Sequence, residues 1–121
     1  MLIALDFDET YTRDTMLWDW FIFTARERDH KIIIVTYRNK EIDIDARLNA
    51  LANRNIPIVY TDGIAKKPTA LAMGFKPDIW IEDKPESVYL DSEFGPEELK
   101  VWRSINLDSA GIPTDRVDNL G

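Results

Sequence analysis

The chain has 121 residues, 45% of them hydrophobic, which fits one globular domain over residues 1–121, and its formal net charge of −7 disfavours long nucleic acid as a partner. It has no cysteine and one histidine, which excludes disulfides, thiolate chemistry and His-rich metal sites. The sequence shows no membrane span and no signal peptide, so we expect a cytoplasmic location and no membrane partner.

The first half of the chain predicts two strands, each followed by a helix. Leu2–Leu5 is an apolar run typical of a buried strand, and residues 14–28 carry apolar side chains at helical spacing, with Asp14 as a plausible N-cap. Residues 31–36 (KIIIVT) form the clearest buried strand. A second helix is predicted over residues 41–54 from the spacing of its apolar side chains.

The second half repeats this alternation. Residues 56–60 and 78–82 are predicted strands, with a short helix over residues 68–73 between them. Further helices are predicted to open at Pro85 and at Pro96, and an irregular tail begins at about residue 108. The βαβαβαβα order predicts a three-layer α/β/α, Rossmann-like fold, in which a parallel sheet is covered on both faces.

Polar and charged side chains follow the predicted strands. Because the carboxyl ends of parallel strands meet at one edge of a sheet, these side chains are expected to share a crevice. They are Asp6 and Asp8 after the first strand, Thr36 at the end of the second, Lys66 and Lys67 after the third, and Glu82 and Asp83 at the end of the fourth. Two carboxylates as close as Asp6 and Asp8 need a cation or a shared proton, and Mg²⁺ prefers such oxygen ligands. Alternatively, Asp8 or Thr10 caps a helix.

Four short motifs in this order resemble those of the haloacid dehalogenase (HAD) superfamily of phosphatases and phosphotransferases. They are LDFDET at residues 5–10, IIIVT at 32–36, KKP at 66–68 and WIED at 80–83. The resemblance covers the chain up to about residue 90. Neither the segment after Thr10 nor the one after the third strand has room for an inserted cap domain. The resemblance therefore implies a capless HAD-like core with an open crevice.

The resemblance also implies chemical roles for the acidic residues. Asp6 is expected to be the nucleophile that forms an aspartyl-phosphate, and Asp8 the general acid and base. The expected ligands of Mg²⁺ are Asp6, the backbone carbonyl of Asp8, Asp83 directly and Glu82 through water. The family more often has aspartate or glycine where this chain has Glu82.

Phosphate-binding residues follow from the same resemblance. Thr36 and Lys67 are expected to hold the phosphoryl oxygens during transfer. Lys67 is favoured because it directly precedes Pro68, as in the family's KP pattern, although Lys66 remains an alternative. Arg38 is a candidate for contact with substrate.

The predicted function is a Mg²⁺-dependent phosphomonoester hydrolase acting through an aspartyl-phosphate. Its open crevice suits a phosphorylated substrate that is macromolecular or a nucleotide, although a phosphosugar also remains a candidate. Two alternatives stay open. One is a receiver-like domain that accepts phosphate, where Asp62 after the third strand is the available acceptor. The other is a catalytically weak module that uses the crevice for recognition, to which Glu82 points. The sequence predicts neither the oligomeric state nor the exact substrate.

Overall fold

The computed structural model describes residues 1–93 and contains four strands and three α-helices in that range. In chain order they are β1 (Leu2–Leu5), α1 (Thr15–Glu27), β2 (Lys31–Thr36), α2 (Ala46–Asn53), β3 (Ile58–Tyr60), α3 (Lys66–Ala72) and β4 (Ile79–Ile81). Short 3₁₀ turns occupy Tyr11–Arg13 and Pro85–Val88. The helix predicted from Pro96 and the tail predicted from residue 108 lie outside the described residues.

The four strands form one parallel sheet in the order β3-β2-β1-β4. Ile3 in β1 is level with Ile32 in β2 and with Ile79 in β4, so β1 lies in the middle of these three strands. The predicted α/β class with a parallel sheet is therefore confirmed for the described part of the chain.

Both faces of the sheet bury apolar side chains, as the alternation along β2 requires. Ile32 and Ile34 belong to a cluster on the face covered by α1 and α2. Ile33 and Val35 belong to a second cluster on the opposite face, where Phe75, just after α3, packs against them. α1 and α2 contribute their most buried side chains to the first cluster, namely Ile22, Ala25, Leu48 and Leu51.

The second helix begins five residues later than the apolar spacing predicts. Side-chain acceptors in the preceding loop bind backbone N–H groups and so compete with helix formation. Asn39 Oδ1 accepts hydrogen bonds from two of these N–H groups, and Asp43 accepts one from the N–H of Asn39. Asp45 then caps α2 by accepting from the N–H of Arg47. Ile44, whose spacing from Leu48 and Leu51 had suggested a helix, lies before α2 and is 74% exposed.

Other element bounds differ by fewer residues. Asp14 is the N-cap of α1, as predicted, and accepts from the N–H of Leu17. The α3 helix begins at Lys66, two residues before the predicted start, because Pro68 needs no N–H partner in the first turn. The strands β3 and β4 are shorter than predicted, and the helix predicted at Pro85 is only a 3₁₀ turn. Within residues 1–93, no helix has both the length and the apolar character needed to cross a bilayer.

Candidate active site

The candidate site lies where the strand order reverses. From β1 the chain moves outward through β2 to β3, then returns to the other side of β1 as β4. Connections that leave neighbouring strands in opposite directions open a crevice at the carboxyl ends, which is where ligands bind in open α/β sheets. Asp6 directly follows β1, while Glu82 and Asp83 follow β4. The N–H of Asp6 donates to the carbonyl of Ile81 at 2.9 Å, so the two strand ends are joined.

Three carboxylates meet in this crevice. Asp6, Glu82 and Asp83 each offer an oxygen, and these oxygens lie within 4.8 Å of one another. Asp6 is the most buried of the three, at 5% exposure. The Thr10 hydroxyl lies 3.0 Å from Asp6 Oδ2, to which it donates, and 3.5 Å from Asp83 Oδ1. We call Asp6, Glu82 and Asp83 the acidic cluster.

Thr10 is a site residue that the sequence argument treated only as a possible helix cap. Its side chain makes no capping bond in the 3₁₀ turn that follows and bonds the acidic cluster instead. The available signal was its position four residues after Asp6, on the loop that leaves β1.

A buried lysine contacts the acidic cluster. Lys66 Nζ donates to Asp6 Oδ1 at 2.7 Å and also to Glu82 Oε2, and only 3% of the Lys66 side chain is exposed. Lys67 Nζ instead lies 5.3 Å from the centre of the Tyr89 ring. Lys67, which the sequence favoured for holding the phosphoryl oxygens, therefore lies away from the acidic cluster, and Lys66, the alternative, contacts it. Since successive residues of a helix point in directions about 100° apart, α3 turns only one of its first two lysines toward the crevice.

The acidic cluster carries more negative charge than Lys66 can balance. Its three carboxylates face one ammonium, so the fully ionised set has an excess of negative charge that a divalent cation or a shared proton would offset. Burial raises the pKa of Asp6 to about 7, although Lys66 opposes the rise. Burial also tends to raise the pKa of Asp83, but hydrogen bonding with Asp6 and Glu82 lowers it overall. Burial therefore favours the protonated form of Asp6, whereas the hydrogen bonds of Asp83 favour its ionised form.

The donor set of the acidic cluster fits a hard divalent cation. Carboxylate oxygens are the preferred protein ligands of Mg²⁺ and Ca²⁺, and Asp6 and Asp83 already share one hydroxyl partner. Lys66 Nζ binds one oxygen of Asp6 and one of Glu82, so a cation at the cluster would share both carboxylates with this ammonium.

Asp8 makes its contacts outside the acidic cluster. Arg38, which follows β2, donates from Nε to Asp8 Oδ2 at 2.9 Å and from Nη2 to Asp8 Oδ1 at 2.8 Å. The sequence predicted that Asp6 and Asp8 need a cation or a shared proton because they are close together. In the structure each carboxylate has its own cationic partner, Lys66 for Asp6 and Arg38 for Asp8. The strand ends at Leu5, so the chain turns between the two aspartates and separates their side chains.

Thr36 contacts Arg38, and the next residue, Tyr37, contacts Lys66. The Thr36 hydroxyl, which is buried at the end of β2, accepts a hydrogen bond from the N–H of Arg38 at 3.2 Å. The ring of Tyr37 lies 5.4 Å from Lys66 Nζ, close enough for a cation–π interaction. Sequence reasoning missed Tyr37, whose only signal was its place directly after Thr36. Of the predicted site residues, the structure thus brings Asp6, Glu82 and Asp83 together with Lys66, while Asp8, Arg38 and Thr36 form a second group.

Comparison of the chain with known protein families, with curated proteins and with solved structures found no match.

Proposed function

We propose that this chain is a Mg²⁺-dependent phosphomonoester hydrolase with a capless HAD-like core of Rossmann-like topology. The observation that carries the proposal is Asp6, buried at the switch point of the sheet between Lys66 and Asp83. The strand order 3-2-1-4 is the one with which the Rossmann arrangement begins. A buried carboxylate beside a fixed cation and two further carboxylates fits nucleophilic attack on a phosphate ester.

In the proposed reaction, a carboxylate oxygen of Asp6 bonds to phosphorus while the bond from phosphorus to the ester oxygen breaks. The leaving alcohol takes a proton from Asp8, and the product is an aspartyl-phosphate on Asp6. Water then attacks that phosphorus with Asp8 as the base, releasing inorganic phosphate and restoring the carboxylate. Lys66 Nζ, held against Asp6 by its 2.7 Å bond, offsets the charge on the phosphoryl oxygens.

Asp6, Asp83 and the backbone carbonyl of Asp8 are the proposed Mg²⁺ ligands. When bound, Mg²⁺ would supply the positive charge that lets an anionic carboxylate approach an anionic phosphate. Glu82 is assigned to holding Lys66, because its longer side chain reaches the ammonium.

Arg38 is the proposed contact for the phosphate of the substrate. Arg38 donates two parallel N–H hydrogen bonds to the Asp8 carboxylate. Two oxygens of a phosphate group can accept the same pair of hydrogen bonds. Substrate phosphate would therefore compete for Arg38 and free the Asp8 carboxyl to face the leaving group. Thr36, whose hydroxyl bonds the N–H of Arg38, would hold this loop in place.

The proposed substrate is a bulky phosphorylated molecule, such as a nucleotide or a phosphorylated macromolecule, processed in the cytoplasm. An acidic chain with a net charge of −7 is poorly suited to long nucleic acid, so a nucleic-acid end is favoured over a duplex.

The test uses the full chain with Mg²⁺ and p-nitrophenyl phosphate, followed by phosphorylated nucleotides, peptides and oligonucleotide ends. Asp6→Asn is expected to lower kcat at least 10³-fold, and EDTA should remove turnover from the wild type. Asp62→Asn is the matched control, because Asp62 follows β3 instead of β1 and should leave turnover intact. Turnover that survives in Asp6→Asn and is lost in Asp62→Asn would overturn the assignment.

The receiver-like alternative gains little support from the strand order. Receiver domains have the order 2-1-3-4-5, whereas β3 here pairs with β2 and lies on its far side from β1. A catalytically weak recognition module is favoured by one observation, the two ion pairs of Lys66, which give Asp6 and Glu82 a cationic partner without a metal. Mg²⁺ binding without turnover of any phosphate ester would favour that module over the hydrolase.

A further inference from the structure

The α1 helix has apolar side chains on two opposite faces. Its inner face packs on the sheet through Ile22 and Ala25, which are buried. Its outer face carries Met16, Trp20 and Phe23 at helical spacing, and these side chains are 73%, 65% and 57% exposed. A helix that is apolar all round is normally covered on all sides. Within residues 1–93, the outer face of α1 has no such cover.

The exposed face is large enough to matter energetically. Aromatic side chains such as Trp20 and Phe23 bury about 150–250 Å² each, so with Met16 and Leu17 the outer face offers on the order of 500 Å² of apolar surface. That is the size of the largest apolar patches on monomeric proteins, which are often functional. A groove of about 520 Å³ runs along it, lined by Thr15, Met16, Asp19, Trp20 and Phe23.

We propose that this face binds a second copy of the chain, with the two α1 helices antiparallel about a two-fold axis at Trp20. In that arrangement a residue that precedes Trp20 by a given number of residues meets the partner's residue that follows Trp20 by the same number. Trp20 packs on the partner's Trp20, and Leu17 packs on the partner's Phe23. An isologous interface requires this kind of self-complementary pattern.

The charges at the ends of the apolar stripe agree with the antiparallel pairing. Arg13 lies in the 3₁₀ turn just before α1 and pairs with Glu9 of its own chain at 3.0 Å. It is as many residues from Trp20 as Glu27 is on the other side, so in the proposed dimer Arg13 would exchange Glu9 for Glu27 of the partner subunit. Arg13 and Glu27 are both exposed. A parallel pairing would instead place like charges together, which is unfavourable.

The area sets the expected strength of the dimer. Two faces on the order of 500 Å² each bury about 1,000 Å² in total, which is at the lower limit for a specific interface. We therefore expect a reversible dimer with a dissociation constant on the order of micromolar. The proposal does not depend on the proposed catalytic function, since it uses no residue of the acidic cluster.

Sedimentation of the full chain over a range of concentrations tests the interface. The wild type is expected to dimerise, and Trp20→Glu is expected to weaken association at least 100-fold. Ile44→Glu is the matched control, because Ile44 is 74% exposed but precedes α2 and should leave the dimer intact. A wild type that stays monomeric, or equal weakening by both variants, would overturn the proposal.

Charge reversal tests the direction of the two helices. Glu27→Arg should weaken the dimer several-fold without harming the monomer, because a cation is favourable at a helix C-terminus. Adding Arg13→Glu should restore the affinity, since the pair is then reversed across the axis. No recovery in the double variant would exclude the antiparallel arrangement.

The absence of cysteine gives a direct test of the axis. Trp20→Cys places one thiol per copy at the two-fold axis and should form a disulfide-linked dimer on mild oxidation, whereas Ile44→Cys should not. Equal cross-linking of both variants would refute the axis. A monomeric wild type in which Trp20→Glu lowers the free energy of unfolding would assign this face to residues 94–121 of the same chain, which would also overturn the dimer.

Discussion

Replacing Lys66 with methionine tests whether the buried ammonium is the main counter-charge of the acidic cluster. At the observed separation of 2.7 Å from Asp6 Oδ1, two unit charges attract by about 6 kcal/mol at an effective dielectric constant of 20. The cost of burying the ammonium reduces the net value. Removing one partner of a buried ion pair typically costs about 3–5 kcal/mol, because the other charge is left uncompensated. We expect a loss in that range for Lys66→Met, together with loss of any phosphatase activity.

Urea unfolding at neutral pH in EDTA measures this loss, and Lys67→Met is the matched control. Lys67 Nζ lies 5.3 Å from the centre of the exposed Tyr89 ring, and a cation–π interaction at an exposed position is worth about 0.5–1 kcal/mol. Adding Glu82→Gln to Lys66→Met should recover part of the stability, because it removes one of the two carboxylates that the lysine balances.

Mg²⁺ should also restore part of the stability of Lys66→Met, since a cation bound at the acidic cluster supplies the missing positive charge. Equal losses below about 1 kcal/mol for the two lysine variants would refute the argument that Lys66 compensates the cluster. It would mean that the carboxylates are balanced by protons alone.

Three further predictions follow from the contacts. Since burial raises the pKa of Asp6 from 3.8 to about 7, its ionisation opposes folding, and metal-free wild type should lose stability as pH rises through that window. Asp6→Asn should flatten this fall in urea titrations, and an unchanged slope would contradict the raised pKa. A double-mutant cycle on Asp8→Asn and Arg38→Met should give a coupling free energy of about 1 kcal/mol, because the Asp8–Arg38 ion pair is partly exposed. Strictly additive losses of stability would contradict this ion pair. Ile22→Ala should cost about 2–5 kcal/mol in chemical unfolding while Phe23→Ala costs far less in the monomer, and a reversed ranking would mean that α1 is rotated.

The elements that the sequence predicts well are those with strong local signals. β1 and β2 match the predicted ranges because each is an apolar run long enough to cross a sheet buried on both faces. Asp14 was identified as a cap because a carboxylate directly before an apolar helix is a local signal. The early start predicted for α2 was wrong because apolar spacing takes no account of the hydrogen bonds that Asn39 and Asp43 make with the backbone.

The residues of the candidate site were harder to predict than the elements that carry them. Which of Lys66 and Lys67 faces the crevice depends on the rotational phase of α3, which two adjacent lysines do not reveal. The fork between Asp8 and Arg38 joins residues 30 positions apart, and nothing near either residue in the sequence indicates the other as its partner. Strand ends could therefore be placed at one edge of the sheet, but the pairing of charges within that edge needed the three-dimensional structure.

The short β4 strand is fastened to β1 at both ends. Asp78 exchanges two hydrogen bonds with Leu2 at the start, and Ile81 accepts from Asp6 at the finish. Sliding β4 by one residue along β1 would put either Asp83 or Ile81 at the place of Glu82, so the three carboxylates meet in this way only in the native register. An ion bound by the acidic cluster would require β4 to be paired with β1, because Glu82 and Asp83 follow β4. Under the proposed metal binding, the ion and the pairing of β4 with β1 would stabilise each other.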